Sequence, residues 1–219
     1  QTLTVSEDAS VGTSLGSVAT TGDTPTSFAI LGGNTGTAFA ISAAGAVTTL
    51  ATLDEETTGA YTLLILSSDG TTAVSRNVAI SVTDVNDNAP IFSDGADNAE
   101  SGAEGSTTVA DYDLTDADST DAVNTCTDSG TDADDFTPSK VDGDTCRIVF
   151  AATPDYESPA DDGVNNVYNV NLIATDAASN SDTIALTITV TDANDNAPVF
   201  ADGDDEAESV NEGTTAVAD

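Results

Sequence analysis

The chain has no tryptophan, no methionine and no histidine, only two cysteines, and three basic residues among 219. Each shortage removes a class of function. Without histidine, and with Cys126 and Cys146 far apart rather than in a Cys-x-x-Cys pair, a zinc or redox site has nothing to build on. No nucleophile is paired with a base, and no nucleophile elbow or phosphate loop occurs. Asp54 with Glu56, or Asp155 with Glu157, could be taken as the paired carboxylates of a glycoside hydrolase. With no other catalytic feature beside them, the chain is read as not an enzyme. No apolar run approaches the ~20 residues of a membrane helix, and Gln1 does not open a signal peptide, so no direct membrane insertion is expected of this segment. Three bases against 39 acids, a net charge of −36, exclude nucleic acid and anionic membrane surfaces as partners.

What is present must offset that charge. Like charges brought together cost on the order of 1 kcal/mol per close pair even in water. Bound divalent cations or a saline medium would relieve them. Disorder is no escape, because the 38% hydrophobic residues fall in period-two runs. Strands are expected at Gln1 to Val5, Ser17 to Thr20, Ser27 to Ile30, Phe39 to Ser42, Ala46 to Leu50, Tyr61 to Ser68 and Asn77 to Thr83, separated by Gly, Asn and Thr turns. Tyr61, Leu63 and Ile65 share one face of their strand, and Val78, Ile80 and Val82 one face of theirs. No helical periodicity competes. The expected fold is all-β: a seven-stranded, antiparallel, Greek-key β-sandwich of immunoglobulin-like architecture.

That unit repeats. Asp84, Val85, Asn86, Asp87, Asn88, Ala89 and Pro90 return 108 residues later as Asp192, Ala193, Asn194, Asp195, Asn196, Ala197 and Pro198. Both runs follow a strand, and both read as joints between copies of one domain. So many oxygen donors in a short, proline-stiffened loop suit a hard cation such as Ca2+. The boundaries are therefore 1–90 for a first repeat, 91–198 for a second, and 199–219 for the first strand of a third, truncated one. In the second repeat Tyr168, Val170 and Leu172 share a face, as do Ile184, Leu186, Ile188 and Val190. From Val199 onward, Phe200, Asp202, Gly203, Glu208, Glu212, Gly213 and Thr214 repeat Phe92, Asp94, Gly95, Glu100, Glu104, Gly105 and Ser106. This suggests a longer array. An oxidising, extracellular setting favours one intra-domain disulfide between Cys126 and Cys146 over two free core thiols. That bridge would tie down the acidic loop Asp128 to Asp135.

Other carboxylates recur at fixed places relative to the joints. Leu53, Asp54, Glu55 and Glu56 precede the last two strands of the first repeat, as Pro154, Asp155, Tyr156 and Glu157 do in the second. Glu7, Glu104 and Glu212 each follow an opening edge. Asp116, Ala117 and Asp118 form an Asp-x-Asp, and Asp176 ends a strand as Asp69 does. Taken together with the Asp-Val-Asn-Asp-Asn-Ala-Pro joint followed by Ile91 and Phe92, these elements resemble tandem cadherin repeats over the whole chain. The resemblance implies a small Ca2+ cluster at the first joint. Its ligands would be Glu7, Asp54 and Glu56 from the first repeat, Asn86 and Asp87 with the backbone oxygens of Val85 and Asn88 from the linker, and Asp116, Asp118 and Asp176 from the second repeat. A second joint is half present in Glu104, Asp155, Glu157, Asn194 and Asp195. The first repeat has Thr21 and Asp23 where the second has Asp116 and Asp118, which departs from the pattern at its far end.

Two nearby patterns fail. An EF-hand at Asp116, Asp118 and Thr120 has Asp121 where the turn glycine belongs, and Leu31, Gly32, Gly33 and Asn34 read as a hairpin turn rather than a glycine-rich calcium repeat. With no tryptophan, nothing resembles the Trp-mediated strand exchange of vertebrate adhesive cadherins. The expected function is an extracellular or cell-surface adhesive module of a microbial (bacterial or archaeal) protein, in which Ca2+ rigidifies a rod of repeats. The alternative is a subunit of a filament joined head to tail through the terminal half joint or strand. Expected partners are other cadherin-like repeats, of the same or a neighbouring chain, with homophilic or filament assembly both open.

Overall fold

The computed structural model describes residues 1–95, 97–118, 123–199 and 212–213. Among them the chain is all-β apart from two single-turn 3-10 segments. Phe200, Asp202, Gly203, Glu208 and Thr214 of the expected third repeat, and Thr120 and Asp121, lie outside the described residues.

The first seven strands are β1 (Thr2–Ser6), β2 (Ser14–Ser17), β3 (Ser27–Gly32), β4 (Phe39–Ile41), β5 (Ala46–Thr49), β6 (Ala60–Ser68) and β7 (Ala73–Thr83). They form two sheets, ordered β1-β7-β6-β3 and β2-β5-β4. The period-two faces of Leu63 and Ile65 on β6 and of Val78, Ile80 and Val82 on β7 are buried, together with Leu3, Val5, Phe39 and Val47. Apolar area removed from water in this way is the main favourable contribution to folding.

Two expectations need correction. The sandwich is not purely antiparallel, because β1 runs parallel to β7, with Thr2 opposite Ala79 and Ser6 opposite Thr83. That places the opening edge beside the last strand, and so brings Glu7 to the joint. Nor does the second strand cover Ser17 to Thr20; it lies at Ser14–Ser17. Its partner β5 begins only at Ala46, after Gly45 turns the chain at a φ of 81°, so no ladder remains opposite Ala19 and Thr20. Gly33 sits so close to the Thr62 carbonyl that any Cβ would clash, which makes this glycine a packing requirement just after β3, whereas Gly32 closes the strand in open space.

The following strands are β8 (Ile91–Phe92), β9 (Asp97–Ala103), β10 (Thr108–Thr115), β11 (Thr125–Ser129), β12 (Phe136–Lys140), β13 (Thr145–Phe150), β14 (Val167–Thr175) and β15 (Ser181–Thr191). Their sheets are ordered β12-β13-β10-β8 and β11-β14-β15-β9. The opening edge here is split between the two sheets: β8 pairs antiparallel with β10, and β9 pairs parallel with β15. Tyr112, Tyr168, Leu172, Ile184 and Ile188 centre the core. Phe136, Phe150 and Tyr168 pack ring against ring, with centroids 4.8 to 5.8 Å apart. A disulfide joins Cys126 on β11 to Cys146 on β13, Cα atoms 5.8 Å apart, and so ties one sheet to the other.

Candidate metal centre

The first joint is assembled from both sides. Glu7, 5% exposed, follows β1 and is fixed by two main-chain donors from distant segments. The Glu55 N–H donates to its Oε2 at 2.5 Å and the Val85 N–H to its Oε1 at 2.6 Å. These two bonds hold the Asp54–Glu56 loop and the linker against the same carboxylate. Asp54 accepts from the Thr57 N–H at 2.7 Å, a tight turn that positions Glu56. From the second repeat, Asp118 is 4% exposed and Asp176 1%. Asp118 accepts the Asn88 N–H at 3.0 Å and the Asn88 Nδ2 at 2.9 Å, reaching back onto the linker.

Carboxylate oxygens converge in three overlapping groups, each within 4.8 Å: Glu7, Asp54 and Glu56; Glu56, Asp84 and Asp118; and Asp116, Asp118 and Asp176. The middle group draws on the first repeat, the linker and the second repeat at once. At about 4 Å a like-charged pair costs about 1 kcal/mol in water and about 4 kcal/mol at the effective dielectric of a protein surface. The electrostatics register this. The Glu56 carboxyl is lowered by its own backbone N–H, but burial and the charges of Glu7 and Asp118 outweigh that and raise its pKa. Asp87 is raised by burial first, then by Glu7, Asp118, Asp54 and Asp84. A purely oxygen donor set of this charge fits a hard divalent cation such as Ca2+ and offers nothing to a soft metal.

Two members were not picked out by reading the sequence. Asp84 opens the repeated linker and could have been found there. Asn180, on the turn between β14 and β15, had no such signal. Its Nδ2 donates to Asp176 Oδ2 at 2.8 Å, Asn86 Oδ1 at 3.1 Å and the Asn88 carbonyl at 3.2 Å. It thus ties the second repeat directly to two expected ligands on the linker. Val85 engages the joint through its N–H, as described, and Asp87 Oδ1 accepts the Asn88 side-chain amide at 3.1 Å.

The second joint reproduces the first on its near side. Glu104 accepts the Tyr156 and Ala193 N–H groups, both at 2.7 Å, as Glu7 accepts those of Glu55 and Val85. Those two donors, Ala193 before Tyr156, hold its pKa below the usual range. Glu104, Asp155 and Glu157 form a further group within 4.8 Å. Asn194 is exposed on the linker beside Asp195, which accepts the Asn196 side-chain amide at 2.9 Å.

No family model matches the chain. It is 30% identical over 216 residues to cadherin EGF LAG seven-pass G-type receptor 2 of mouse and of human, covering 91% of this chain and 7% of each relative. Human protocadherin-23 is 31% identical over 184 residues, covering 80% of this chain and 5% of that protein. These are tandem cadherin repeats. Among solved structures, the protocadherin gammaB7 EC3-6 cis-dimer superposes with a TM-score of 0.65 at 27% identity, over 91% of this chain and 47% of that one. Mouse cadherin-23 EC22-24 shares the fold at a TM-score of 0.67 and 24% identity, over 88% and 62%. The cadherin repeats here therefore span about 7% of the length of the curated receptors they match.

Proposed function

We propose that the joint between the two cadherin repeats binds Ca2+ and that the bound ion sets the angle between them, making this chain a rigid stretch of an extracellular adhesive rod. The observation that carries the reading is the group Glu56, Asp84 and Asp118, one carboxylate each from the first repeat, the linker and the second repeat, within 4.8 Å. A cation attracted to all three opposes any motion that parts the repeats. The donors assigned to it are Glu7, Asp54, Glu56, Asp84, Asn86, Asp87, Asp116, Asp118 and Asp176, with backbone oxygens of Val85 and Asn88; the clustering of Glu7, Asp54, Glu56, Asp84, Asp116, Asp118 and Asp176 supports this reading. Glu104, Asp155, Glu157, Asn194 and Asp195 make the near half of a second site, to be completed by a following repeat.

The role is mechanical. Without Ca2+ the carboxylates repel and the repeats swing about the linker; with it, a shared ligand set removes that freedom. The module is adhesive rather than enzymatic, as its similarity to adhesion receptors supports, and it works outside the cell. Its partners are other cadherin repeats, in the same or a neighbouring chain. The similarity to cadherin receptors favours the adhesive reading over the filament one. The test is calorimetric titration of Ca2+ into the decalcified chain. Binding that weakens in both Glu56→Ala and Asp118→Ala supports the joint site, and binding unaffected by either refutes it.

A further inference from the structure

The two repeats match residue by residue where their main-chain bonds agree. Phe39 stands opposite Thr49 as Phe136 stands opposite Phe150. The residue before each phenylalanine makes the same two bonds. Ala38 donates to the Thr35 carbonyl at 3.3 Å and accepts the Leu50 N–H at 2.7 Å; Asp135 donates to the Asp132 carbonyl at 3.1 Å and accepts the Ala151 N–H at 2.8 Å. Asp134 and Asp135 therefore hold the places of Thr37 and Ala38. Ala38 is 3% exposed, so the second repeat carries a carboxylate where the first buries a methyl group. A second difference follows in the chain. Tyr61 opposite Ile80 corresponds to Tyr168 opposite Ile188. Asp54 lies seven positions before Tyr61, but Asp155 lies thirteen before Tyr168, so the second repeat's loop is six residues longer.

Both differences meet at one cavity of about 190 Å3, lined among others by Asp134, Asp135, Phe150, Ser158, Ala160 and Tyr168. Phe150 and Tyr168 are core residues, with ring centroids 5.2 Å apart, and give it an apolar wall. Ser158 and Ala160 belong to the longer loop, which is firmly held. Buried Asp132 accepts the Asp162 N–H at 2.8 Å and the Asn169 N–H at 2.6 Å, and buried Asp161 accepts the Asn166 N–H at 2.9 Å. Asp155 also borders the cavity but is assigned to the second joint, which leaves Asp134 and Asp135 to charge it. Among the described residues no donor bonds the half-buried Asp135 carboxylate. Burial raises its pKa, and the Asp132, Asp134 and Asp161 charges add to it. A carboxylate so placed gains from an incoming cation.

We infer that this cavity receives an arginine side chain presented by a different protein, with the guanidinium against Asp134 and Asp135 and the methylene stem along the wall of Phe150 and Tyr168. The volume falls below the ~300 Å3 at which small-molecule clefts begin, and suits a single side chain. A guanidinium fits better than an ammonium, because its planar fork matches carboxylates, its face packs on aromatic rings and it is more weakly hydrated. The source of the arginine follows from charge. At a net charge of −36 two copies of this chain repel each other, while a basic partner is drawn in. Of the chain's own three bases, Arg147 is held by Asp111 at 2.6 and 2.7 Å and Lys140 by the Val123 carbonyl, which leaves Arg76 on the first repeat.

The test titrates N-acetyl-arginine amide into the whole chain in Ca2+ buffer and follows backbone amide shifts. The expected result is saturable shifts at Asp134, Asp135, Ala151, Ser158 and Ala160, weaker binding of the lysine analogue, and no shifts there from the uncharged citrulline analogue of nearly the same shape. Asp135→Ala, which places the first repeat's residue at this position, should melt no lower and bind about tenfold more weakly. Absent shifts, shifts centred on other acidic residues, equal binding of the citrulline analogue, or full binding by Asp135→Ala would overturn the proposal. Sedimentation of the chain alone should give constant mass. Self-association lost on Arg76→Gln would instead give the cavity to a second copy and overturn the assignment to a different protein.

Discussion

Glu56 of the first repeat and Asp118 of the second bring carboxylate oxygens to within 4.8 Å of each other, although they lie 62 positions apart and on different sandwiches. Two anions of different domains meet this closely only because Glu7 draws the Glu55 loop and the linker together, and because Asn88 carries Asp118 to the same linker. Main-chain donors thus fix the carboxylates locally, and the repulsion left between Glu56 and Asp118 is what a bound cation would relieve.

Removing one linker carboxylate should loosen the first joint alone. Asp87→Ala is expected to weaken Ca2+ binding there by at least about tenfold and to widen the spread of inter-repeat angles. The half site at Glu104 should be unaffected. Calorimetric titration and scattering on the variant check this.

Asn180 holds Asn86, Asn88 and Asp176 in place through one amide group. Asn180→Ala should lower Ca2+ affinity at the first joint by about tenfold to a hundredfold, the usual cost of losing an orienting partner. The melting of the second repeat should move little, since the side chain lies outside its core.

The disulfide connects opposite sheets of the second repeat. Replacing Cys126 and Cys146 by alanine should cost about 3 kcal/mol in that repeat, the loop-closure expectation for a loop of this length. The first repeat, with no cysteine, should melt unchanged. Denaturant unfolding with a probe in each repeat separates the two.

Acidic groups away from the metal centre give a pH signature. Burial raises the Asp135 carboxyl, with the Asp132, Asp134 and Asp161 charges adding to it. Burial likewise raises Asp128, against its own backbone N–H and with Asp134 adding. A carboxyl whose folded pKa lies above its unfolded value binds more protons when folded, so stability falls as pH rises from the ordinary carboxylate range through the raised value. Asp135→Asn should therefore raise the melting temperature at neutral pH and flatten that part of the profile. Thermal melts between pH 4 and about 7 read it, in a range set by ordinary carboxylate titration.

Much of this was legible in the residues. Alternation on β6, β7, β14 and β15 announces strands because their apolar faces are long and aliphatic, and the returning linker marks the joints by position. The second strand was misplaced because Leu15 is the only large apolar residue in Ser14–Ser17, too little for an alternation that marks where the strand begins and ends. The parallel pairing of β1 with β7 has no local signal, since it depends on a partner some 77 residues away. Asn180 escaped for the same reason: a turn asparagine acquires its role only from what the fold sets opposite it. The Glu7, Asp54 and Glu56 group was recoverable because its members recur as Glu104, Asp155 and Glu157.

The most direct test of the central claim is small-angle scattering of the chain with Ca2+ and after chelation, across a concentration series. A stiff two-repeat rod that becomes a broader distribution of bent forms on chelation is the predicted result. Identical profiles in the two buffers would contradict the account, because the joint would then hold its angle without the ion.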